Sequence, residues 1–234
     1  MTTRFKLYYW PLPFRGCFVS YLFAYAGVPL EEETGYEAIQ AMRTAPLAEQ
    51  AIPFIGPPVL EDRETGVVLS QMPAILVYAA DALGLEGGKD RDGAMRLKII
   101  MDCNDVLMEI CRYNGSMMWD RDSWIEFRSE RLPRWLQLFE ESLRRDHIKR
   151  DSLNVAEIAV YALFGNMMRC LPELEPDIRE HAPGIHALCG QVASRSSLAS
   201  YVADQAKAYG SLYCGGQIEE SIRNMIAMDQ SAGQ

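Results

Sequence analysis

No cluster of lysine and arginine large enough to neutralise a phosphate backbone occurs in the chain, and its formal net charge is −9. Counterion release requires a dense basic surface, so nucleic acid is not an expected partner. An anionic small ligand stays compatible, because a helix N-terminus and one or two arginines make a locally positive pocket on an acidic protein. Nor does any apolar run approach the roughly 20 residues that a membrane span requires. The opening MTTRFKLYYW has neither a signal-peptide h-region nor a transit-peptide composition, so a cytoplasmic protein with no membrane partner is expected. The six cysteines, at 17, 103, 111, 170, 189 and 214, form no CxxC and stand in no Cys/His pair at zinc spacing. Reduced, mostly buried thiols and no metal are the expectation. His147, His181 and His186 are too dispersed for a triad or a metal cluster, which leaves them capping or surface roles. Repeats and low-complexity stretches are missing too.

What remains is an ordinary ordered composition, 49% apolar and 24% charged over 234 residues, long enough for one large core or two small ones. Residues 4–10 (RFKLYYW) read as an opening strand stopped by Pro11 and Pro13. From Arg15 to Ala26 the apolar positions Phe18, Val19, Leu22, Phe23 and Ala26 recur at helical spacing, and Gly27 stands where a glycine would end the helix. Residues 28–33 (VPLEEE) suit a returning strand, with Glu31, Glu32 and Glu33 marking it as an edge and reading as a solvated charge run. Residues 34–52 are weakly patterned. Pro58-Val59-Leu60 and Val67-Val68-Leu69 then flank a polar turn closed by Gly66, a hairpin signal. Ser70-Gln71-Met72-Pro73 opens a helix that ends at Gly84.

Residues 85–93 form a polar, glycine-rich connector, beyond which strand signals almost vanish. Helical periodicity covers 94–119, 123–145 and 154–170, with shorter stretches after Pro172, Pro183 and Ser197. Asn154 and Glu157 have capping-box chemistry ahead of an apolar run, which predicts a core helix. The final MDQSAGQ is expected to fray. The organisation is therefore an α/β domain over 1–84, a linker over 85–93, and an all-helical domain over 94–225.

Three segments of the first domain resemble the soluble glutathione transferases. KLYYWPLPFRGCFVSYLFAYAGVPLEE is similar to that family's first strand, active-site loop and first helix, GPPVLED to the loop where a cis-proline begins the third strand, and SQMPAILVYAADALGL to the turn and third helix that grip the γ-glutamyl group. In the second domain DSLNVAEIAVYALF resembles the family's N-capped core helix. The resemblance implies a thioredoxin-like N-terminal domain followed by a helical bundle, glutathione as co-substrate, an apolar electrophile as second substrate, a homodimer, and a role in detoxification. A glutathione-dependent peroxidase, isomerase or lyase would share the same first domain. So would a non-catalytic scaffold that binds ligands or partners.

By that resemblance Tyr9 is the candidate catalytic hydroxyl, near the end of the first strand and followed by Trp10, with Tyr8 as its rival. Strand alternation puts the two rings on opposite faces, so one faces the site while the other packs elsewhere. Both serving only as packing residues is a third possibility, in which case a backbone amide near Phe14 or Arg15 would hold the sulfur. Pro13-Phe14 is similar to the Cys-Pro-Phe of thiol-transferase relatives, but Leu12 occupies the cysteine place and excludes mixed-disulfide chemistry there. Cys17, one turn into the helix, is read as a small buried filler. For glutathione the resemblance implies Arg15, cis-Pro58, Val59, Ser70, Gln71 and Met72. Arg15 would attract a carboxylate or support the thiolate, or be a plain helix-terminal arginine. Val59 would offer its backbone to the cysteinyl part, Gln71 would meet the γ-glutamyl group, and Met72 would give a backbone N–H without the usual hydroxyl. Gln71 and Ser70 equally suit ordinary capping. Pro57, ahead of Pro58, removes one usual backbone donor. The second-substrate pocket would draw on Trp10, Phe14 and Tyr113. Tyr113 belongs to a Met/aromatic cluster with Met108, Met117, Met118 and Trp119, which also reads as helix core. One of Asp102 and Asp105 would face a partner subunit.

Overall fold

The computed structural model describes residues 2–85 and 91–232. Of the expected connector over 85–93, residues 86–90 lie outside the described residues, as do residues 233 and 234 of the final stretch. The first half begins with β1 (Phe5–Tyr8), α1 (Arg15–Ala26), β2 (Leu30–Glu33) and α2 (Tyr36–Thr44). It continues with β3 (Val59–Asp62), β4 (Val67–Ser70) and α3 (Met72–Leu83). The strands order as β2-β1-β3-β4, with β1 parallel to β2 and the other two pairs antiparallel, so β2 is an edge as its glutamates predict. Gly27 and Gly84 end α1 and α3 in left-handed conformation, which costs a glycine no Cβ clash.

Alternation along β1 decides the side of each ring. Phe5, Leu7 and Tyr9 are buried against the helices, whereas Lys6 and Tyr8 face the other way. There the charged residues pair: Lys6 with Glu31 at 3.1 Å, Arg63 with Glu31 at 2.6 Å, and Tyr8 donating to Glu61 at 3.1 Å. Glu32, on the opposite face of β2, accepts the Ser20 hydroxyl at 2.5 Å and the Tyr201 hydroxyl at 2.8 Å. The triple glutamate is thus a set of specific ion pairs and hydrogen bonds, not a solvated run. Its two-residue period separates the partners, which composition could not show.

Residues 16–23 of α1 are all buried, because the helix packs against the sheet and α3 on one side and the helical half on the other. A helix apolar on every side belongs in the middle of a core. Its N-terminus is consequently a fixed point of the molecule.

The second half comprises α4 (Arg91–Ile110), α5 (Arg112–Gly115), α6 (Arg121–Glu126), α7 (Leu132–Arg144), α8 (Val155–Val160) and α9 (Asn166–Cys170). After these come α10 (Glu175–His181), α11 (Pro183–Ala193), α12 (Ser196–Tyr209) and α13 (Gly216–Ala232). Five-residue π-helical segments join α6 to α7 and α8 to α9, so the expected helices over 123–145 and 154–170 are continuous but locally widened. The capping box at α8 is formed: Asn154 Oδ1 accepts the Ala156 N–H at 2.9 Å and Glu157 Oε2 accepts the Asn154 N–H at 2.9 Å. Two further expectations are corrected. The helix expected over 94–119 stops at Ile110, because Arg112, Tyr113 and Asn114 take positive φ and Trp119 Nε1 donates back to the Ile110 carbonyl at 2.9 Å. A tertiary cap of this kind leaves the apolar period intact on both sides of the break. The final stretch, expected to fray, continues α13 as far as Ala232, where Asp229 accepts from Trp124 Nε1 at 2.9 Å.

Candidate functional site

A cleft of about 720 Å³ opens where the head of α1 meets the helical half. Its floor is the β1–α1 loop, with Tyr9, Trp10, Leu12, Phe14 and Arg15 among the lining residues. One wall carries Pro57, Pro58, Gln71 and Met72, with Arg43 of α2 also on the lining. The opposite wall is helical: Asn104 and Met108 of α4, Cys111 and Asn114 at its end, and Cys214 and Ile218 near the start of α13.

Tyr9 is 7% exposed, and its phenol oxygen accepts the backbone N–H of Arg15, the first residue of α1, at 3.0 Å. Burial pushes its pKa well above the ordinary tyrosine value, so the phenol keeps its proton at neutral pH. The oxygen is engaged as an acceptor, and among the described residues no group takes its proton. Gly16 lets the ring lie flat on the helix, since a Cβ there would come within 2.3 Å of Tyr9 Cδ1. Tyr8, bonded to Glu61, has no place in the cleft lining. Cys17 is buried, its Sγ 3.7 Å from the Ala162 carbonyl, and burial raises its thiol pKa, which suits a filler and not a nucleophile.

The second polar feature is the head of α3. The Pro57-Pro58 peptide is cis and leads directly into Val59. Val59 and Ser70 pair across β3 and β4 and stand behind the lining residues. Gln71 has φ +72° and ψ +111°, outside the left-handed helical well, and a non-glycine residue held there costs about 1–3 kcal/mol. This kink points the start of α3 at the cleft. No side chain caps that helix, so its first amides remain available to an anion.

Arg15 extends its guanidinium to the helical wall, with Nη2 2.9 Å from Met108 Sδ and 3.8 Å from Cys111 Sγ. Trp10 stacks obliquely on Tyr36 with ring centroids 5.5 Å apart, and Phe14 meets Tyr213 edge to face at 5.2 Å. Tyr113, expected in the pocket, is 60% exposed in the α5 turn and outside the lining, because that turn replaces the helix that would have aimed it. Met117 and Met118 are exposed, and Trp119 is buried beside Trp124 and Phe127. Asp102 pairs with Lys98 at 2.5 Å on its own helix, and Asp105 is exposed.

Arg43, Asn104, Asn114, Cys214 and Ile218 join the lining without having been singled out in the sequence. For Arg43 a signal was there: YEAIQAMRT carries Glu37 in the first turn and Arg43 in the last, the charge order that suits a helix dipole. Ile39 is its only buried residue, so the apolar period is too thin to read. Among the described residues no three of His, Cys, Asp and Glu gather closely enough to hold a metal.

A four-stranded mixed sheet flanked by α1 and α3, followed by a helical bundle, defines a thioredoxin-like domain joined to an all-helical one. Residues 95–225 match the family model described as "Glutathione S-transferase, C-terminal domain", and the chain belongs to the glutathione S-transferase family. Solved structures with the same fold include a Pi-class glutathione S-transferase of Onchocerca volvulus. It is 16% identical, with a TM-score of 0.73 over 91% of this chain and 98% of that one. Prostaglandin synthase D of Nilaparvata lugens is 19% identical, with a TM-score of 0.68 over 86% and 98% of the two chains. The sigma class enzyme of Fasciola hepatica is 18% identical, with a TM-score of 0.68 over 87% and 97%. At such identities the likeness is one of fold. No curated protein sequence matches the chain.

Proposed function

We propose that the protein is a glutathione transferase that ionises the glutathione thiol at the head of α1 for attack on an apolar electrophile. The observation that carries this reading is the bond from the Arg15 amide to the Tyr9 oxygen, inside a cleft that both halves of the chain line. Glutathione supplies the sulfur nucleophile, and the chain supplies its surroundings. Tyr9 donates its free proton to the sulfur, and the positive end of the α1 dipole acts from within a turn. A thiol of pKa near ~8.5 is only a few per cent ionised at pH 7. Each unit of depression needs about 1.4 kcal/mol. One hydrogen bond to a charged acceptor contributes about 1.5–3 kcal/mol and the dipole about 0.3–1 kcal/mol. Together they bring the thiol to roughly half ionised at neutrality.

The residues fit the tripeptide. The uncapped amides of α3, aimed by Gln71, suit the γ-glutamyl carboxylate, and the Gln71 side chain suits its ammonium. Ser70 supports that turn, and Met72 serves through its main chain alone, forgoing about 1 kcal/mol for the missing hydroxyl. Val59, placed by cis-Pro58, pairs its backbone with the cysteinyl part. Arg43, with no carboxylate in ion-pair range among the described residues, suits the glycyl carboxylate at the other end of the cleft. Trp10 and Phe14 give the electrophile an apolar surface. The sulfur then bonds to the electrophilic carbon while the leaving group departs with its electron pair and the thiol proton passes to solvent.

We further read the working form as a cytoplasmic homodimer engaged in detoxification. The dimer reading rests on Leu97 and Met101, both 41% exposed and one turn apart on α4. Glutathione titration with the ultraviolet thiolate band followed, in the parent and in Tyr9→Phe, tests the chemistry. A thiolate at neutral pH that fades in the variant is expected. No binding at millimolar glutathione by a folded protein would favour a non-catalytic scaffold, for which Pro57 and Met72 speak.

A further inference from the structure

The cleft holds more positive charge than a tripeptide with two carboxylates uses. On the reading just given, on which this inference rests, the head of α3 takes one carboxylate and Arg43 the other. The Arg15 guanidinium is left over. It lies on the helical side of the cleft, half-buried between Met108, Cys111 and the Phe14 ring, 5.2 Å from that ring's centre. Thioether and thiol sulfurs are weak acceptors. Among the described residues no carboxylate lies in ion-pair range of it. A guanidinium partly withdrawn from water and met only by sulfur and an aromatic face gains a charge-assisted, two-pronged bond as soon as an oxyanion enters.

The neighbouring wall is shaped for the same task. Asn114 belongs to the α5 turn, in which Arg112, Tyr113 and Asn114 all have positive φ, between 46° and 60°. Three successive L-residues in that region cost roughly 1–2 kcal/mol each. The strain is offset by the Gly115 N–H to Cys111 carbonyl bond at 2.7 Å and by the Asn114 N–H, which Cys111 Sγ accepts at 3.3 Å. The turn sets the Asn114 amide on the cleft lining beside Cys111. Leu12 and Ile218, also on the lining, are apolar.

We propose that the second substrate is an electrophile with an apolar body and one carboxylate, which sits on the Arg15 guanidinium with the Asn114 amide as a second donor. An α,β-unsaturated ketone that carries a carboxylate is the simplest member of the class. The sulfur bonds to its β-carbon, the carbon–carbon π pair moves to the α-carbon and carbonyl as an enolate, and the enolate takes a proton from solvent. No oxidant or reductant is needed.

Ethacrynic acid and its methyl ester differ in this one charge. Their kcat/KM values with saturating glutathione are compared in the parent, Arg15→Gln and Arg15→Lys, each checked for an unchanged melting transition. The parent should prefer the acid by about tenfold. The ratio should fall to near unity in Arg15→Gln and survive in part in Arg15→Lys. Equal turnover of acid and ester by the parent overturns the proposal. So does an Arg15→Gln variant that weakens glutathione binding and slows both compounds alike, since Arg15 would then serve the tripeptide. Binding of the acid and ester alone, followed by tryptophan quenching, decides the matter if neither is turned over: an acid bound no better than its ester sinks it. If glutathione itself fails to bind, the transferase reading falls while the acid-to-ester contrast is still measured.

Discussion

The phenol oxygen of Tyr9 and the main-chain amide of Arg15 are 3.0 Å apart, so the end of β1 and the start of α1 are tied across a loop that contains two prolines. Gly16 makes the tie possible, with the Tyr9 ring resting where its Cβ would be. Gly16→Ala is expected to push the ring off the helix, to cost about 1–3 kcal/mol of stability through overpacking, and to abolish the thiolate band. A variant of unchanged melting temperature that still ionises glutathione would show that the close approach is dispensable. Chemical denaturation and the ultraviolet titration together read both parts.

Gln71 sits at positive φ without being glycine. Gln71→Gly should relieve that strain and raise stability by about 1 kcal/mol, while glutathione affinity falls because the side chain is gone. Isothermal titration alongside a urea melt checks the trade. A glycine variant less stable than the parent would mean that the Gln71 side chain holds the turn.

Asp62 is buried and takes the Arg4 guanidinium at 2.8 and 2.9 Å, the Tyr78 hydroxyl at 2.7 Å and the Glu64 amide at 3.0 Å. The Arg4 bond, first among these, holds its pKa far below the ordinary aspartate value of ~3.9. A depressed carboxylate stabilises the fold fully above the unfolded value and loses that contribution as the pH falls towards the folded one. Stability should therefore drop steadily below about pH 4, and Asp62→Asn should flatten that drop while costing about 2–3 kcal/mol at pH 7. Urea midpoints from pH 2 to pH 7 measure both, and a parallel decline in parent and variant would count against Asp62 as its source.

Asn154 caps a helix that lies wholly in the core. Asn154→Ala should cost about 1–2 kcal/mol, whereas Asn154→Asp or Asn154→Ser should cost much less. The measurement is a set of melting curves, and equal losses for all three would mean that Asn154 acts by packing instead.

Much of the fold was legible because its signals are local. The span of α1, the αL glycines at 27 and 84, the hairpin at 59–70 and the capping box at 154–157 each follow from a few adjacent residues. Alternation put Tyr8 and Tyr9 on opposite faces, and the structure supplies which face is which. The missed features depend on distant partners. Trp119 caps α4 from nine residues on, and Tyr201 meets Glu32 across 169 residues. Arg43 escaped notice because α2 buries a single side chain, and Ile218 because α13 is placed by contacts such as Asp229 with Trp124.

The burial of α1 on every side has a consequence for the chain as a unit. Sheet, α3, α8 and α12 all lean on that one cylinder, so neither half owns it. A polypeptide cut off after residue 84 would leave Tyr21 and the α1 flank that faces α8 and α12 naked to water, and it should clump instead of standing alone. Swapping one half for a relative's would succeed only if this helix travelled with the partner it was fitted to.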